Sequence, residues 1–319
     1  DEYRADDLRT IQSTPIHELF HRVQYRYDKG PEEKWTYEGS ATAVQDKIFG
    51  GAGSLDALRD SSYVQRANRY LGSPNRVDYD DYGGAVAGLR SASYYACLFW
   101  TYYMETCGAA SGEPAKGIDA LRLYWEQTLE HDNVAAMDHA VRAAPGCPDL
   151  RSMEDLFHDF VVTNYVKNMG NVSERYRYAD EQGPEGTRYD DVHLEAHEAI
   201  APGRPLQRRA AEVAAWGANY YVALPTSPGC SGIQVDITGG PGARLLTAVV
   251  AVDGANNAHF YDSPDWRARG PGMACTLRNE GWSKVAVIVA AGDVGGQYEL
   301  QVSCVELPRE RCLTNPRSS

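Results

Sequence analysis

Residues 13–31 have the sequence STPIHELFHRVQYRYDKGP, and this stretch decides how the first part of the chain folds. Thr14 is a suitable N-cap, Pro15 fits the first turn of a helix, and Gly30 followed by Pro31 ends one. The stretch therefore predicts a single helix. Its apolar residues recur every three or four positions, so we expect them to face the core. They are Ile16, Leu19, Phe20, Val23 and Tyr27.

A second stripe of the same helix carries two histidines one turn apart. His17 and His21 belong to an HExxH motif, in which side chains four residues apart on a helix both reach a single metal ion. Glu18 follows His17 directly, where it can take a proton from metal-bound water without binding the metal itself. The motif therefore predicts a catalytic zinc site.

Zinc hydrolases of this kind need a third protein ligand and an open position for water. The metzincin pattern requires Gly and His at two positions where this chain has Gln24 and Tyr27, so that pattern is absent. Asp28, at the end of the first helix, is an alternative third ligand, although an aspartate there is more typical of a surface or capping residue.

A second helix is predicted directly after the first, in the sequence WTYEGSATAVQD that starts at residue 35. Its small residues Gly39, Ala41 and Ala43 would let the two helices approach each other closely enough for Glu38 to complete the metal site. Asp46 on the same helix is a further alternative, and it too is more typical of a surface residue.

These two motifs resemble the gluzincin group of metallopeptidases, whose signature is HExxH followed by a glutamate ligand on a downstream helix. More narrowly, HELFHRVQ from residue 17 and WTYEGSAT from residue 35 resemble secreted bacterial metalloproteases with HExFHxxQ and WxxEGxAT. The resemblance implies zinc ligands at His17, His21 and Glu38, with Glu18 as general base. It covers about 40 residues closely and the helical half to residue 165 only loosely.

Two features depart from the family pattern. Members place a β-sheet before the zinc helix, yet only 16 residues precede His17. We expect an upstream segment either to be missing from the sequence or to have been cleaved and to remain associated as a separate chain. Some members also carry an acid four residues after the glutamate ligand, where this chain has Thr42, so the role of orienting a histidine would pass to Asp46 or to another residue.

Enzymes of this group also use a tyrosine or histidine to hydrogen-bond the oxyanion that develops during hydrolysis. Residues 93–105, SYYACLFWTYYME, resemble the tyrosine-bearing helix that follows the zinc helices in the family. Tyr94 is the first candidate. The other tyrosines are Tyr95, Tyr102 and Tyr103, and for any one of the four a place in an aromatic core is an equally good interpretation.

The whole chain predicts an α+β architecture in three segments. Residues 1–170 keep a helical period and would form a mainly helical, zincin-like catalytic domain whose upstream sheet is missing. Residues 171–204 are polar and rich in Gly and Pro, which indicates an extended connection. In residues 205–319 the period becomes two, which indicates a C-terminal β-sandwich or jelly roll. The expected strands are 220–224, 233–237, 245–252, 284–289 and 298–305.

Composition and charge exclude several function classes. The chain has 319 residues and a formal net charge of −13, so it would repel a phosphate backbone and we expect no nucleic-acid partner. No run of about 18 apolar residues occurs, so we expect no membrane span. The seven cysteines and the glycosylation sequon at Asn171 are typical of a protein that is secreted or displayed at the cell surface.

The cysteines contain no CxxC pair, so disulfides are a better interpretation than a thiolate metal site. An odd count leaves one thiol over, and Cys97, inside an apolar helical run, is the natural buried one. Local pairing would join Cys107 with Cys147, Cys230 with Cys275 and Cys304 with Cys312.

A second histidine pair, His193 and His197, also has the spacing of metal ligands on a helix. The surrounding segment alternates polar and apolar residues, which predicts extended chain and places the two histidines about 13 Å apart. We therefore expect a structural or exposed role for both.

The sequence thus predicts a secreted zinc metalloendopeptidase that acts on protein or peptide substrates. In the expected mechanism zinc activates a water molecule, and Glu18 takes its proton and passes it to the leaving amine. The alternative is a catalytically silent metallopeptidase-like scaffold that serves as a surface or assembly protein. The missing upstream sheet and the β-sandwich favour that alternative, whereas the intact motif argues against it.

Overall fold

The computed structural model describes residues 5–27, 33–50, 61–79, 84–109, 112, 115–179, 189–226, 229–262, 272–306 and 313–314. The chain forms two compact units. The helical unit comprises Asp1–Ser73, Val77–Phe160 and Tyr178–Asp190, and the β unit comprises Pro74–Arg76, Val161–Arg177 and Asp191–Ser319. A mainly helical part followed by a β part confirms the coarse α+β prediction. Residues 171–204 contribute to both units, instead of forming only an extended connection between them.

The helices occupy the first half of the chain. They are α1 (Ala5–Tyr27), α2 (Lys34–Gly50), α3 (Ser61–Leu71), α4 (Cys97–Cys107), α5 (Ile118–Gln127), α6 (Asn133–Ala143) and α7 (Met153–Val166). A two-stranded sheet of β1 (Arg76–Tyr79) and β2 (Gly84–Ala87) follows α3, and short 3-10 turns at Leu89–Ser91 and Ser93–Ala96 lead into α4. None of the described helices combines the length and apolar character that a membrane span requires.

The core of the helical unit is aromatic. The rings of Trp35 on α2 and Trp100 on α4 stack with centroids 5.5 Å apart, and Nε1 of Trp100 donates to the backbone oxygen of Trp35 at 2.7 Å. A Cβ at Gly39 would lie 2.8 Å from Cδ1 of Trp100 and 3.0 Å from Cβ of Ala96. Gly39 therefore allows α2 to approach Trp100 and Ala96, a contact that the sequence did not predict.

Helix α1 differs from its prediction at both its start and its faces. It begins at Ala5, so Thr14 is not its N-cap and Pro15 lies in its interior. The polar stripe is the buried one: His17 is 5% exposed and Gln24 is fully buried, whereas Leu19 is 66% exposed. The physical reason is that the buried polar groups find partners on α2, such as Gln45, whose Nε2 donates to Oγ of Ser13 at 2.8 Å.

The β unit contains two larger sheets. Their strands are β3 (Ala196–Ile200), β4 (Leu206–Val213), β5 (Ala218–Pro225), β6 (Gly232–Gly239), β7 (Leu245–Val252), β8 (Ala258–Asp262), β9 (Gly272–Arg278), β10 (Lys284–Ala291), β11 (Gly296–Val305) and β12 (Leu313–Thr314). The six-stranded sheet has the order β12-β8-β7-β10-β5-β3, and the four-stranded sheet has the order β4-β11-β6-β9. All five predicted strands are present, and the others were not predicted.

The two larger sheets form a sandwich-like arrangement around one core. Alternate residues of facing strands meet there, for example Val249 and Val287 from the larger sheet with Val235 and Val302 from the smaller one. Strand β7 is buried along its whole length, so its second face is covered as well. Residues 161–177 contact that side of the sheet, since Oη of Tyr220 donates to the backbone oxygen of Val161 at 2.9 Å.

The disulfide of the β unit follows the order of strands in the sheet rather than proximity in the sequence. Cys107 pairs with Cys147 and Cys97 remains a buried thiol, as predicted. Cys230 pairs with Cys304, so the expected bridges from Cys230 to Cys275 and from Cys304 to Cys312 were wrong. Cys275 is disulfide-bonded, and Cys312 lies outside the described residues. Strands β6 and β11 are neighbours with Cys304 opposite Ile233, which brings the cysteine just before β6 to the end of β11.

Candidate metal centre

Three side chains from α1 and α2 converge at one point of the helical unit. Nε2 of His17 lies 3.0 Å from Oε2 of Glu38, and Nε2 of His21 lies 3.6 Å from the same oxygen. One ligand atom from each of the three residues lies within 4.8 Å of the other two. In the part of the chain that the structure describes, this is the one group of three or more such side chains able to hold a metal ion.

The observed spacing suits a small tetrahedral cation. Zinc binds imidazole nitrogen and carboxylate oxygen at about 2.0 to 2.1 Å, which separates two ligand atoms of a tetrahedron by about 3.3 Å. The distances of 3.0 and 3.6 Å from the Glu38 oxygen to the two imidazoles lie on either side of that value. The two nitrogens and one oxygen are also a donor set that zinc prefers, and the residues present therefore fit this metal.

A buried glutamine fixes the orientation of His21. Nδ1 of His21 donates to Oε1 of Gln24 at 2.5 Å, while Nε2 of Gln24 donates to the backbone oxygen of Tyr37 and to Oγ of Ser40, each at 3.0 Å. Because Nδ1 donates to Gln24, Nε2 is the nitrogen of a neutral His21 that is left to bind a metal ion. Gln24 thus plays the part that an outer hydrogen-bond partner plays for most metal-binding histidines.

His17 is held differently from His21. Its Nδ1 is buried and has no hydrogen-bond partner among the described residues. The ring of Tyr94, in the 3-10 turn before α4, stacks against it with a centroid distance of 5.7 Å and an interplanar angle of 27°. The Arg66 guanidinium carbon lies 4.7 Å from the centre of the Tyr94 ring.

The electrostatics of the centre favour a carboxylate beside two imidazoles. Burial acts to raise the pKa of Glu38, but hydrogen bonds with His17 and His21 outweigh it and hold that pKa well below its ordinary value of 4.5. The hydrogen bond with Glu38 is the main reason why the pKa of His21 is raised above 6.5, against the opposing effect of burial. Glu38 is therefore ionised across the neutral pH range, as a metal ligand must be.

Glu18 is exposed and lies next to His17 in the same helical turn. It also contributes a favourable charge to His21, whose pKa it helps to raise. The side chain is thus close to the centre yet outside the group of three ligand atoms, which is the arrangement expected of a base rather than a ligand.

The other candidates lie away from the centre or outside the described residues. Asp46 is buried on α2 but is not part of the three-residue group, and neither histidine uses it as an Nδ1 partner. Thr42, which stands where the family has an acid, accepts a hydrogen bond from Nη1 of Arg66 at 3.3 Å. Asp28 lies outside the described residues.

Among the described residues, the second histidine pair belongs to no group of three or more side chains that could hold a metal ion. His193 and His197 are both exposed, and His197 lies on β3, which pairs in parallel with β5. The prediction of extended chain for this segment is therefore confirmed.

Two contributors to the centre were not predicted. Gln24 lies three residues after His21 on the same helix, and this separation was the signal that would have identified it as a partner of His21. Arg66 had no such signal, because its contacts with Thr42 and Tyr94 join parts of the chain that are distant in sequence.

The chain shows little similarity to known proteins. No family model matches the chain, and no curated protein matches it. One solved structure is the pre-peptidase C-terminal domain of a collagenase from Bacillus anthracis, which matches at 14% identity over 36% of this chain and 100% of that domain, with a TM-score of 0.26. Another is a family GH115 4-O-methyl-alpha-glucuronidase with specificity for decorated arabinogalactans, at 13% identity over 67% of this chain and 30% of that one, with a TM-score of 0.20.

Proposed function

We propose that this protein is a zinc-dependent peptide hydrolase of the gluzincin type, acting outside the cell or at its surface. The observation that carries the proposal is the convergence of His17, His21 and Glu38 beside an exposed Glu18. The disulfides support the extracellular assignment, because such bridges persist mainly in oxidising compartments.

The three converging side chains would hold the zinc ion, and Gln24 would keep His21 in the tautomer that a ligand needs. Bound zinc supplies Lewis-acid chemistry, which makes a water molecule nucleophilic near neutral pH. Glu18 would act as the general base, taking a proton from the attacking water and passing it to the amine that leaves when the peptide bond breaks. Tyr94 remains the candidate for hydrogen-bonding the oxyanion through its hydroxyl.

The proposed base is tested by Glu18→Gln, which keeps the shape of the side chain and removes its ability to accept a proton. Zinc content should stay at one ion per chain, while hydrolysis of unfolded protein substrates should fall by a factor of at least about 100. Zinc is measured by elemental analysis and cleavage by mass spectrometry of the fragments.

Glu130→Gln is the matched control, because Glu130 is an exposed glutamate of the same helical unit. It should leave both zinc content and cleavage unchanged. Undiminished hydrolysis in Glu18→Gln would refute the proposed mechanism. Stoichiometric zinc without any hydrolysis in the wild-type protein would favour the catalytically silent scaffold instead.

A further inference from the structure

The two histidines of the centre have unequal support. The ring of His21 is fixed by the short chain of hydrogen bonds through Gln24 to α2. Nδ1 of His17 is buried and has no hydrogen-bond partner among the described residues, so no such chain holds that ring. Metal-binding histidines almost always have a partner on the second nitrogen, and its loss lowers metal affinity. Some other contact must therefore keep His17 in place.

The contact that the structure offers is the face of the Tyr94 ring. It lies 5.7 Å from His17 at an interplanar angle of 27°, which is a stacked arrangement within the range of favourable aromatic pairs. Tyr94 is half-buried, and its position just before α4 gives it a fixed backbone on one side of the centre. Stacking restricts the tilt of the imidazole, although it does not select its tautomer.

Arg66 holds the Tyr94 ring from a second helix. Its guanidinium carbon lies 4.7 Å from the ring centre, a distance at which the cation is attracted to the aromatic face. Nη1 of the same guanidinium donates to Oγ1 of Thr42 at 3.3 Å. Thr42 is fully buried on α2, one turn after Glu38. Arg66 therefore connects the Tyr94 ring, which contacts His17, to helix α2, which carries Glu38.

We propose that Tyr94 and Arg66 are positioning residues for His17. Their stacked arrangement replaces the hydrogen bond at Nδ1 that His17 lacks among the described residues. The inference rests on the proposed metal centre, and it gives the aromatic ring of Tyr94 a role separate from that of its hydroxyl. Thr42 stands four residues after Glu38, where some members of the gluzincin group carry an acid that orients a histidine. In this protein Thr42 is linked to His17 through the Arg66 guanidinium and the Tyr94 ring.

The first test measures zinc affinity by competition with a chromogenic chelator. Tyr94→Leu should weaken zinc binding about 10-fold, whereas Tyr94→Phe, which keeps the ring, should stay within about 2-fold of wild type. Arg66→Met should weaken binding several-fold, with partial recovery in Arg66→Lys. Arg69→Met is the matched control, because it removes a positive charge from the same helix α3 and should have no effect.

The second test needs no metal. In the metal-free protein the ring-proton resonances of His17, identified by their loss in His17→Asn, should move in Tyr94→Leu and in Arg66→Met but hardly in Arg69→Met. Unmoved resonances, or wild-type zinc affinity in Tyr94→Leu, would overturn the positioning role. Failure of the wild-type protein to bind zinc would overturn the metal centre itself, and the resonances would still decide whether the ring is held by this pair.

Discussion

Gln24 links the metal centre to the packing of α1 against α2, since it contacts His21, Tyr37 and Ser40 at once. Gln24→Ala should weaken zinc binding about 10-fold to 100-fold, because the Nδ1 partner of His21 is lost. It should also lower the free energy of unfolding by about 1–3 kcal/mol, because buried groups lose their hydrogen bonds. Chelator competition and urea unfolding measure the two effects.

The matched control for this variant is Gln45→Ala. Gln45 is also a buried glutamine, and its side chain also joins α2 to α1, through Ser13. It should destabilise the protein by a similar amount and leave zinc affinity within about 2-fold of wild type. Equal losses of zinc affinity in the two variants would show that Gln24 acts only through helix packing.

The contact between His21 and Glu38 gives the metal-free protein a distinct pH dependence. Because folding raises the pKa of His21, protonated His21 stabilises the folded state below pH 6.5. This stabilisation is lost as the pH rises through the pKa of His21 in the folded state. Because folding lowers the pKa of Glu38, its carboxylate stabilises the folded state above pH 4.5. This stabilisation is lost only at much lower pH. The pair therefore contributes most between these two values and less at about pH 8.

The pH effect is measured as the difference in melting temperature between wild type and Glu38→Gln, both stripped of metal. This difference should be larger at about pH 5.5 than at about pH 8. Zinc affinity should change in the opposite direction, rising with pH, because protons compete with the metal for the histidines. If the difference in melting temperature did not change with pH, the proposed interaction between His21 and Glu38 would be contradicted.

At the scale of the elements, the close contact between Gly39 and Trp100 leaves no room for a larger side chain at this position of α2. Gly39→Ala should lower the free energy of unfolding by about 1–3 kcal/mol, because the added methyl group overlaps the Trp100 ring. Gly254→Ala is the control, since a Cβ there has no atom within 4 Å, and it should be nearly neutral. Chemical denaturation compares the two, and a neutral Gly39→Ala would refute the close packing.

The elements also show where sequence patterns succeed and where they fail. Strands such as β7 and β10 were predicted because short apolar runs rich in β-branched residues and bounded by turn residues are typical of strands buried in a sheet. The prediction that the apolar face of α1 is buried was wrong, because it considered only the hydrophobicity of the side chains and not the hydrogen-bond partners available on α2. In the structure the polar stripe is buried, as hydrogen bonds with α2 compensate its desolvation, and Leu19 remains exposed.

At the scale of the whole molecule, the disulfide between Cys230 and Cys304 belongs to the β unit alone. Replacing both cysteines by serine releases a link across 74 residues, which should cost the β unit about 4 kcal/mol through the entropy of the unfolded chain. Zinc affinity should not change, because all three ligands lie in the helical unit. Calorimetry and chelator competition test the two statements, and reduced zinc binding would contradict the second.

The convergence of His17, His21 and Glu38 could be predicted, whereas the residues that support them could not. The period of a single helix brings His17 and His21 together, and the resemblance of the next helix to the family signature indicated Glu38. The bridge from Cys230 to Cys304 and the contact of Arg66 with Tyr94 depend on which distant elements become neighbours. Neighbour choice is a property of the complete fold, and residue spacing contains little information about it.

Cys97 gives the protein a built-in reporter of transient opening. Cys97 is fully buried at the first residue of α4, so an alkylating reagent reaches its thiol only when the surrounding structure opens. The rate of maleimide labelling in the native protein therefore follows the opening equilibrium, without any introduced probe. Added zinc should slow this labelling by the factor with which it favours the closed state.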